Sequence, residues 1–188
     1  RCSFLAVRLA SIVVLASLSG LLNSQAGDWP SILGPNRDGW AADDERLTEN
    51  TPELNVAWSL PAGEGYAGAA VDQGEAFLYD RQKSQDRLRC VRASDGSVLW
   101  EAFLPSNYRG GIDSDKGPRC VPIVTTDRVI LYSASGECSC LDRQDGRILW
   151  SEPLRKKWKA DDGYFGAGST PLIIDRFIIV NLGGSNAG

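Results

Sequence analysis

Four carboxylates, Asp113, Asp115, Asp161 and Asp162, are the residues best suited by type to hard-cation chemistry, since calcium takes oxygen ligands. Their spacing matches no coordinating loop, so catalytic and metal residues are expected to be absent and cofactor-binding residues stay unassigned. Cys138 and Cys140 stand two apart in a strand-like run. That places them on one face at about 6.6 Å, from a rise of about 3.3 Å per residue, with parallel Cβ directions that disfavour a disulfide. Cys90, Cys120, Cys138 and Cys140 are therefore expected as small, free, half-buried residues, with one structural bridge as the alternative. "CSC" is also not a Cys-x-x-Cys redox or zinc pair. These 188 residues contain no histidine, which excludes a Ser-His-Asp triad, a His-ligated zinc and a His base within them. The glycine-rich stretches "GPNRDG" and "GEGYAG" do not join a strand to a helix, so neither reads as a phosphate cradle.

Charge excludes a further class. The net charge is -4 and the basic residues are scattered, the densest run being "RKKWK" at Arg155 to Lys159. A nucleic-acid partner needs a broader basic face, so this run is expected to be a solvated loop. The first 26 residues differ in kind: Arg1 and Arg8 flank the start, an apolar stretch runs from Leu9 to Leu22, and Ser24 and Ala26 occupy the small positions of a cleavage site. Residues 1–26 thus read as a secretory signal cut after Ala26, too short in its apolar part for the roughly 20 residues that span a bilayer. The chain has no methionine and stops on "NLGGSNAG" just after an apolar run, so it is expected to be a piece of a longer exported chain, with any membrane link by association only.

The elements that position these residues follow from a doublet. "CVRASDGSVLW" (Cys90 to Trp100) and "CLDRQDGRILW" (Cys140 to Trp150) repeat one pattern fifty positions apart. Before the second copy, Val121 to Thr125, Arg128 to Ser133 and Glu137 to Leu141 are short β-rich runs separated by turn letters, and "RILWSEPL" follows Asp145-Gly146. Four strands joined by tight turns make an antiparallel meander. Strict alternation sets Val98 with Trp100 on one face and Leu99 on the other, and Ile148 with Trp150 against Leu149, so both faces need cover. Similar sheets stacked around an axis supply that cover, which makes the chain an all-β β-propeller of four-stranded antiparallel blades. "AAVDQGEAFLY" from Ala69, "PIVTTDRVILY" from Pro122 and "PLIIDRFIIV" from Pro171 extend the repeat. The expected division is a signal at 1–26, an extended segment at 27–55, and partial propeller repeats at 56–188. The last contain a closing strand at Trp58, blades ending at Trp100 and Trp150, and the start of another.

The unit Ala-x-Asp-x-x-Thr-Gly-x-x-x-Trp is the tryptophan-docking motif of pyrroloquinoline-quinone (PQQ)-type propeller repeats, and this chain resembles it. Asp142, Gly146 and Trp150 match, with Cys140 in the alanine place and Asp145 in the threonine place; the first copy keeps Gly96 and Trp100 but has Arg92 for the aspartate. "DWPSILGPNRDG", "GPRCVPIV" and "STPLIIDRFIIVNLGG" are similar to segments of secreted bacterial BamB-like propellers. Trp-Asp repeat propellers are disfavoured by the lack of histidine and of any Trp-Asp dipeptide. The BamB-like resemblance implies a non-enzymatic binding or scaffold module in envelope assembly, in periplasm, cell envelope or extracellular space. It needs no cofactor. The same repeat type also occurs in quinoprotein dehydrogenases, which would bring PQQ, calcium and an aspartate base but usually carry an adjacent Cys-Cys pair absent here. A sensor portion of a kinase-linked receptor is the third reading. Three loops, "AGEGYAGAA" (62–70), "SNYRGGIDSDKG" (106–117) and "KADDGYFGAG" (159–168), each precede the first strand of a blade. They are expected to gather on one face and to contact another envelope protein or a ligand.

Overall fold

A computed structural model describes residues 27–41, 55–161 and 163–185. The signal segment and Asp162 lie outside them. The first blade consists of β1 (Ala70–Asp72), β2 (Glu75–Gln82), β3 (Gln85–Arg92) and β4 (Val98–Pro105), paired antiparallel in that order. The second repeats the order with β5 (Ile123–Val124), β6 (Arg128–Tyr132), β7 (Glu137–Asp142) and β8 (Ile148–Pro153). A short helix, α1 (Leu154–Trp158), leads to a third hairpin, β9 (Leu172–Ile174) with β10 (Phe177–Ile179). The all-β architecture of partial, four-stranded propeller blades is as the doublet predicts.

Period-two patterning explains the stacking. On β6, Val129 and Leu131 face the first blade and join Phe77, Leu88, Cys90 and Leu104 in one core. Ile130 and Tyr132, one residue out of phase, face the other way and pack with Cys120, Cys138, Cys140, Ile173 and Ile178. A strand apolar on both faces is stable only between two sheets, and each such side chain gains about 1.5–3 kcal/mol by full burial. The expectation that the last strand is covered on both faces is corrected. Val98, Leu99 and Ile148 are exposed at the outer edge, and double-sided burial falls on the middle strands instead. The face assignment is corrected too. Trp100 pairs with Cys90 and Val98 with Val91, and likewise Trp150 with Cys140 and Ile148 with Leu141, because a bulge interrupts each ladder. One extra residue shifts the alternation, so Val98 and Trp100 point to opposite faces.

The turn before each bulge is longer than the tight turn expected, with five residues between the strands, yet the two copies are alike in detail. Gly96 and Gly146 both have φ +72°. The Asp95 and Asp145 carboxylates accept from the Ser97 and Arg147 amides at 2.8 and 2.9 Å. Arg92, the departure from the motif, donates to Asp95 and Ser97 at 3.1 and 2.5 Å and so braces its own turn.

Trp100 docks the first blade on the second, and Trp58, which lies in no strand among the described residues, docks on the first blade in the same way. Trp58 donates from Nε1 to the Ala93 carbonyl at 2.8 Å with its ring over Gly96, and Trp100 donates to the Arg143 carbonyl at 3.0 Å with its ring over Gly146. A Cβ on Gly146 would lie 2.5 Å from the Trp100 ring. Arg143 returns from that turn to the first blade, where its guanidinium pairs with Asp72 and Glu75 and lies over Phe77. A strap from the N-terminal side completes the assembly. Trp29 exchanges hydrogen bonds with Val71, Pro30 accepts from the Val124 amide at 2.8 Å, and Arg37 donates to the Pro171 carbonyl at 2.9 Å. It therefore touches the first strand, or its approach, in all three repeats.

"RKKWK" is not a solvated loop. Arg155 to Trp158 belong to α1 and Lys159 caps it in a left-handed conformation. The run is mostly exposed, but Arg155 is half-buried and packs across Gly136.

Candidate functional site on the loop face

The three glycine-rich loops meet on one side of the sheets, as their shared position before each first strand requires. Arg119, at the end of the middle loop, ties them. Its guanidinium pairs with Asp115 at 2.6 Å and donates to the carbonyls of Asp115 (2.7 Å), Gly117 (2.8 Å) and, on the third loop, Phe165 (3.2 Å). It also lies 5.0 Å from the ring centre of Tyr66 on the first loop and 5.6 Å from that of Tyr108. A planar fork with five N–H donors is the side chain that makes such a hub.

Asp113 and Asp115 are brought together, but as hydrogen-bond acceptors inside the protein. Asp115 accepts from the Gly65 and Gly117 amides at 2.9 and 2.8 Å, and Asp113 accepts from the Tyr66 hydroxyl at 2.6 Å and the Asp115 amide at 3.0 Å. The amide of Asp115 and then the Tyr66 hydroxyl hold the Asp113 carboxyl below its ordinary range. Burial works to raise Asp115, but Arg119 and the two backbone donors outweigh it and leave the group lowered. Tyr66 is correspondingly raised by its bond to Asp113. Asp161 is exposed and joins none of these bonds. Among the described residues no group of three or more His, Cys, Asp or Glu is arranged to hold a metal ion.

Backbone contact completes the interlock. Ile112 donates its amide to the Tyr164 carbonyl at 3.2 Å, and the Tyr66 and Ala67 amides both donate to Pro118 at 2.8 and 3.1 Å. Gly111 allows the first of these approaches, because a Cβ there would collide with the Tyr164 carbonyl. The network holds large side chains out in solvent: Tyr66 is 64% exposed, Ile112 73%, Tyr164 71% and Phe165 59%. These exposed side chains therefore stand on an ordered scaffold. Arg119 was missed in the sequence because a lone arginine in a polar loop has no periodic signal; the alternation Asp113-x-Asp115-x-Gly117-x-Arg119 was the available clue.

Beside this patch runs a cleft of about 490 Å³, lined by Asn107, Tyr108, Arg109, Lys156 and Lys159 among others. The Tyr108 hydroxyl is buried without a hydrogen-bond partner among the described residues. Elsewhere the charges are paired inside the sheets: Arg81 with Asp86 at 2.5 Å, both fully buried, and Arg87 and Arg89 with Asp80 at 2.7 and 3.2 Å. The cysteines are free, as expected, but buried rather than half-buried. Burial pushes the Cys90, Cys120 and Cys138 thiols up to about 12, so they serve as small core residues.

Comparison with known proteins agrees with the fold. The family described as "Outer membrane protein assembly factor BamB" matches residues 37–185. No curated protein matches. Among solved structures, the quinohemoprotein alcohol dehydrogenase of Comamonas testosteroni is 18% identical with a TM-score of 0.62, over 87% of this chain and 24% of that one. The quinohemoprotein alcohol dehydrogenase ADHIIG of Pseudomonas putida HK5 is 17% identical with a TM-score of 0.53, over 85% and 23%. BamB of Moraxella catarrhalis is 24% identical with a TM-score of 0.34, over 48% and 23%. The chain spans about a quarter of the length of these structures or less, and the likeness to the two dehydrogenases is one of fold.

Proposed function

We propose that this chain, which belongs to the family described as outer membrane protein assembly factor BamB, acts as a non-catalytic binding module whose loop face grips another protein of the cell envelope. The observation that carries this reading is the patch of Tyr66, Ile112, Tyr164 and Phe165, exposed yet fixed by the Arg119 hub. Rigid aromatic side chains lose little entropy on association and are the usual anchors of protein interfaces. The signal-like residues 1–26 support export, with maturation after Ala26. Oxidation through PQQ and calcium is the competing reading, and Asp113 and Asp115 do not fit it. The carboxylates of Asp113 and Asp115 are committed to Tyr66, Arg119 and backbone amides rather than open to a cation.

The test is photo-crosslinking in the native host, with benzoylphenylalanine at Tyr164 or Ile112 of the full-length protein and, as a control, at Asp145 on the opposite turns. An adduct with an envelope protein from the first two sites only is the expected result. Equal adducts from all three, or none from the loop face, would overturn the reading.

A further inference from the structure

Among the described residues, five exposed cations whose side chains carry no carboxylate partner lie on one face, Lys83, Arg109, Lys116, Lys156 and Lys159, while a sixth, Arg176, lies over the Phe177 ring at the β9–β10 turn. Their grouping is not a consequence of a basic chain, since the net charge is -4, nor of a shortage of acids, since Arg81, Arg87, Arg89, Arg92, Arg143 and Arg147 on the sheets and turns are salt-bridged. Arg109, Lys156 and Lys159 line the cleft of about 490 Å³, and Lys83, Arg109 and Lys116 line a second of about 310 Å³. The two share Asn107, Tyr108 and Arg109, and among the described residues that line them there is no aspartate or glutamate. The topology accounts for the placement: Lys83 is in the connection between β2 and β3, while the others are in connections leaving β4 and β8, and all of these fall at the same end of an antiparallel blade.

We infer that these adjoining clefts form a track for an acidic peptide segment of the partner, with aspartate or glutamate side chains set against Arg109 as its centre. This rests on the reading of the loop face as a protein-contact surface. Three features select the occupant. Each cleft lies in the range of about 300–1,000 Å³ typical of ligand sites, much larger than a single phosphate needs. The cations are exposed and spread along two connected clefts rather than converging on one point, which suits charges spaced along an extended chain. Polynucleotide binding draws on a larger footprint, about 6–10 phosphate contacts in strongly salt-dependent cases, and would work against the chain's net negative charge. The neighbouring Tyr164 and Phe165 supply apolar contact to a polypeptide, while the unpaired cations speed its encounter and set its register.

The experiment is fluorescence anisotropy on the full-length protein with a labelled octapeptide of alternating glutamate and alanine, and its glutamine-alanine counterpart. The acidic peptide is expected to bind and the neutral one to bind at least tenfold more weakly. Arg109→Glu with Lys156→Glu is expected to weaken the acidic peptide at least tenfold with an unchanged thermal melt, and Lys156→Gln with Lys159→Gln to weaken it less. Inorganic phosphate is expected to compete no better than chloride at equal ionic strength. No binding of the acidic peptide, equal binding by the charge-reversed protein, or displacement by low phosphate or by a single-stranded oligonucleotide would each overturn the inference. A loop-face adduct at Tyr164 alongside a failed peptide titration would sink the acidic track alone, whereas loss of that adduct would sink the contact surface itself.

Discussion

Gly146→Ala measures how much of the blade stacking depends on tryptophan docking. Gly146 has φ +72°, where an L-residue costs roughly 1–2 kcal/mol. Its new Cβ would also stand 2.5 Å from Trp100 Cε3, with neighbouring ring atoms at 2.7 and 3.2 Å. The indole must therefore withdraw. Withdrawal stretches the 3.0 Å bond from Nε1 to the Arg143 carbonyl, worth about 1 kcal/mol net, and opens the contact between Trp100 and Phe77, whose ring centres are 6.0 Å apart, worth about 0.5–1.5 kcal/mol. The expected loss is about 2.5–4.5 kcal/mol in total. Gly74→Ala is the internal control, because Gly74 has φ +75° but nothing within 4 Å of its added Cβ, so it should lose only the roughly 1–2 kcal/mol of backbone strain. Urea unfolding of the full-length protein, read by tryptophan fluorescence at unchanged m, gives both values. In a Trp100→Ala background the Gly146→Ala cost should fall to that of Gly74→Ala. Equal losses at Gly146 and Gly74 in the otherwise native protein would refute the docking argument.

The other predictions concern the site and the core. Arg119→Lys keeps the charge but not the fork that reaches Asp115, Gly117 and Phe165; amide exchange at Gly65 and Gly117 should accelerate at least tenfold, and unchanged exchange would show that Arg119 is no hub. Asp113 and Asp115 have lowered folded-state pKa values, so their contribution is fully present above the ordinary carboxylate pKa of about 3.9 and is lost as pH falls through the lower folded values. Exchange at the same amides, corrected for intrinsic pH dependence, should thus stay slow at pH 5 and speed up only below about pH 3.9. Cys90, Cys120, Cys138 and Cys140 are buried, and a thiol reagent at pH 8 should label them only at the rate of unfolding; fast labelling of the native protein would contradict their burial. Asp86→Asn leaves the Arg81 guanidinium in the core without its counter-charge, and calorimetry should show a loss of about 3–5 kcal/mol.

What could be read in the letters, and what could not, divides by the range of the interaction. The blades were legible because each is built from neighbours in sequence: alternation gives β6 and β7, and a glycine four residues before a tryptophan gives the docking turn. The loop cluster was legible one step further, since three loops that precede equivalent strands must fall on one side. The bulges at Cys90/Val91 and Cys140/Leu141 were not, because one inserted residue changes the facing of Trp100 and Trp150 without leaving a mark in composition. The pairing of charges was hidden for a different reason. Nothing in "YDRQKSQDRLR" says that Arg81 and Asp86 are buried together while Lys83 between them is exposed and unpaired. That distinction arises only when β2 and β3 fold back across Lys83 and Ser84, turning their two inner charges toward one another and leaving the lysine at the end of the blade. The same folding step that satisfies the interior charges therefore delivers unsatisfied ones to the loop face. On a chain whose net charge is negative, a partner attracted to that face is selected by local field rather than by overall charge, which is why composition alone gave no hint of it.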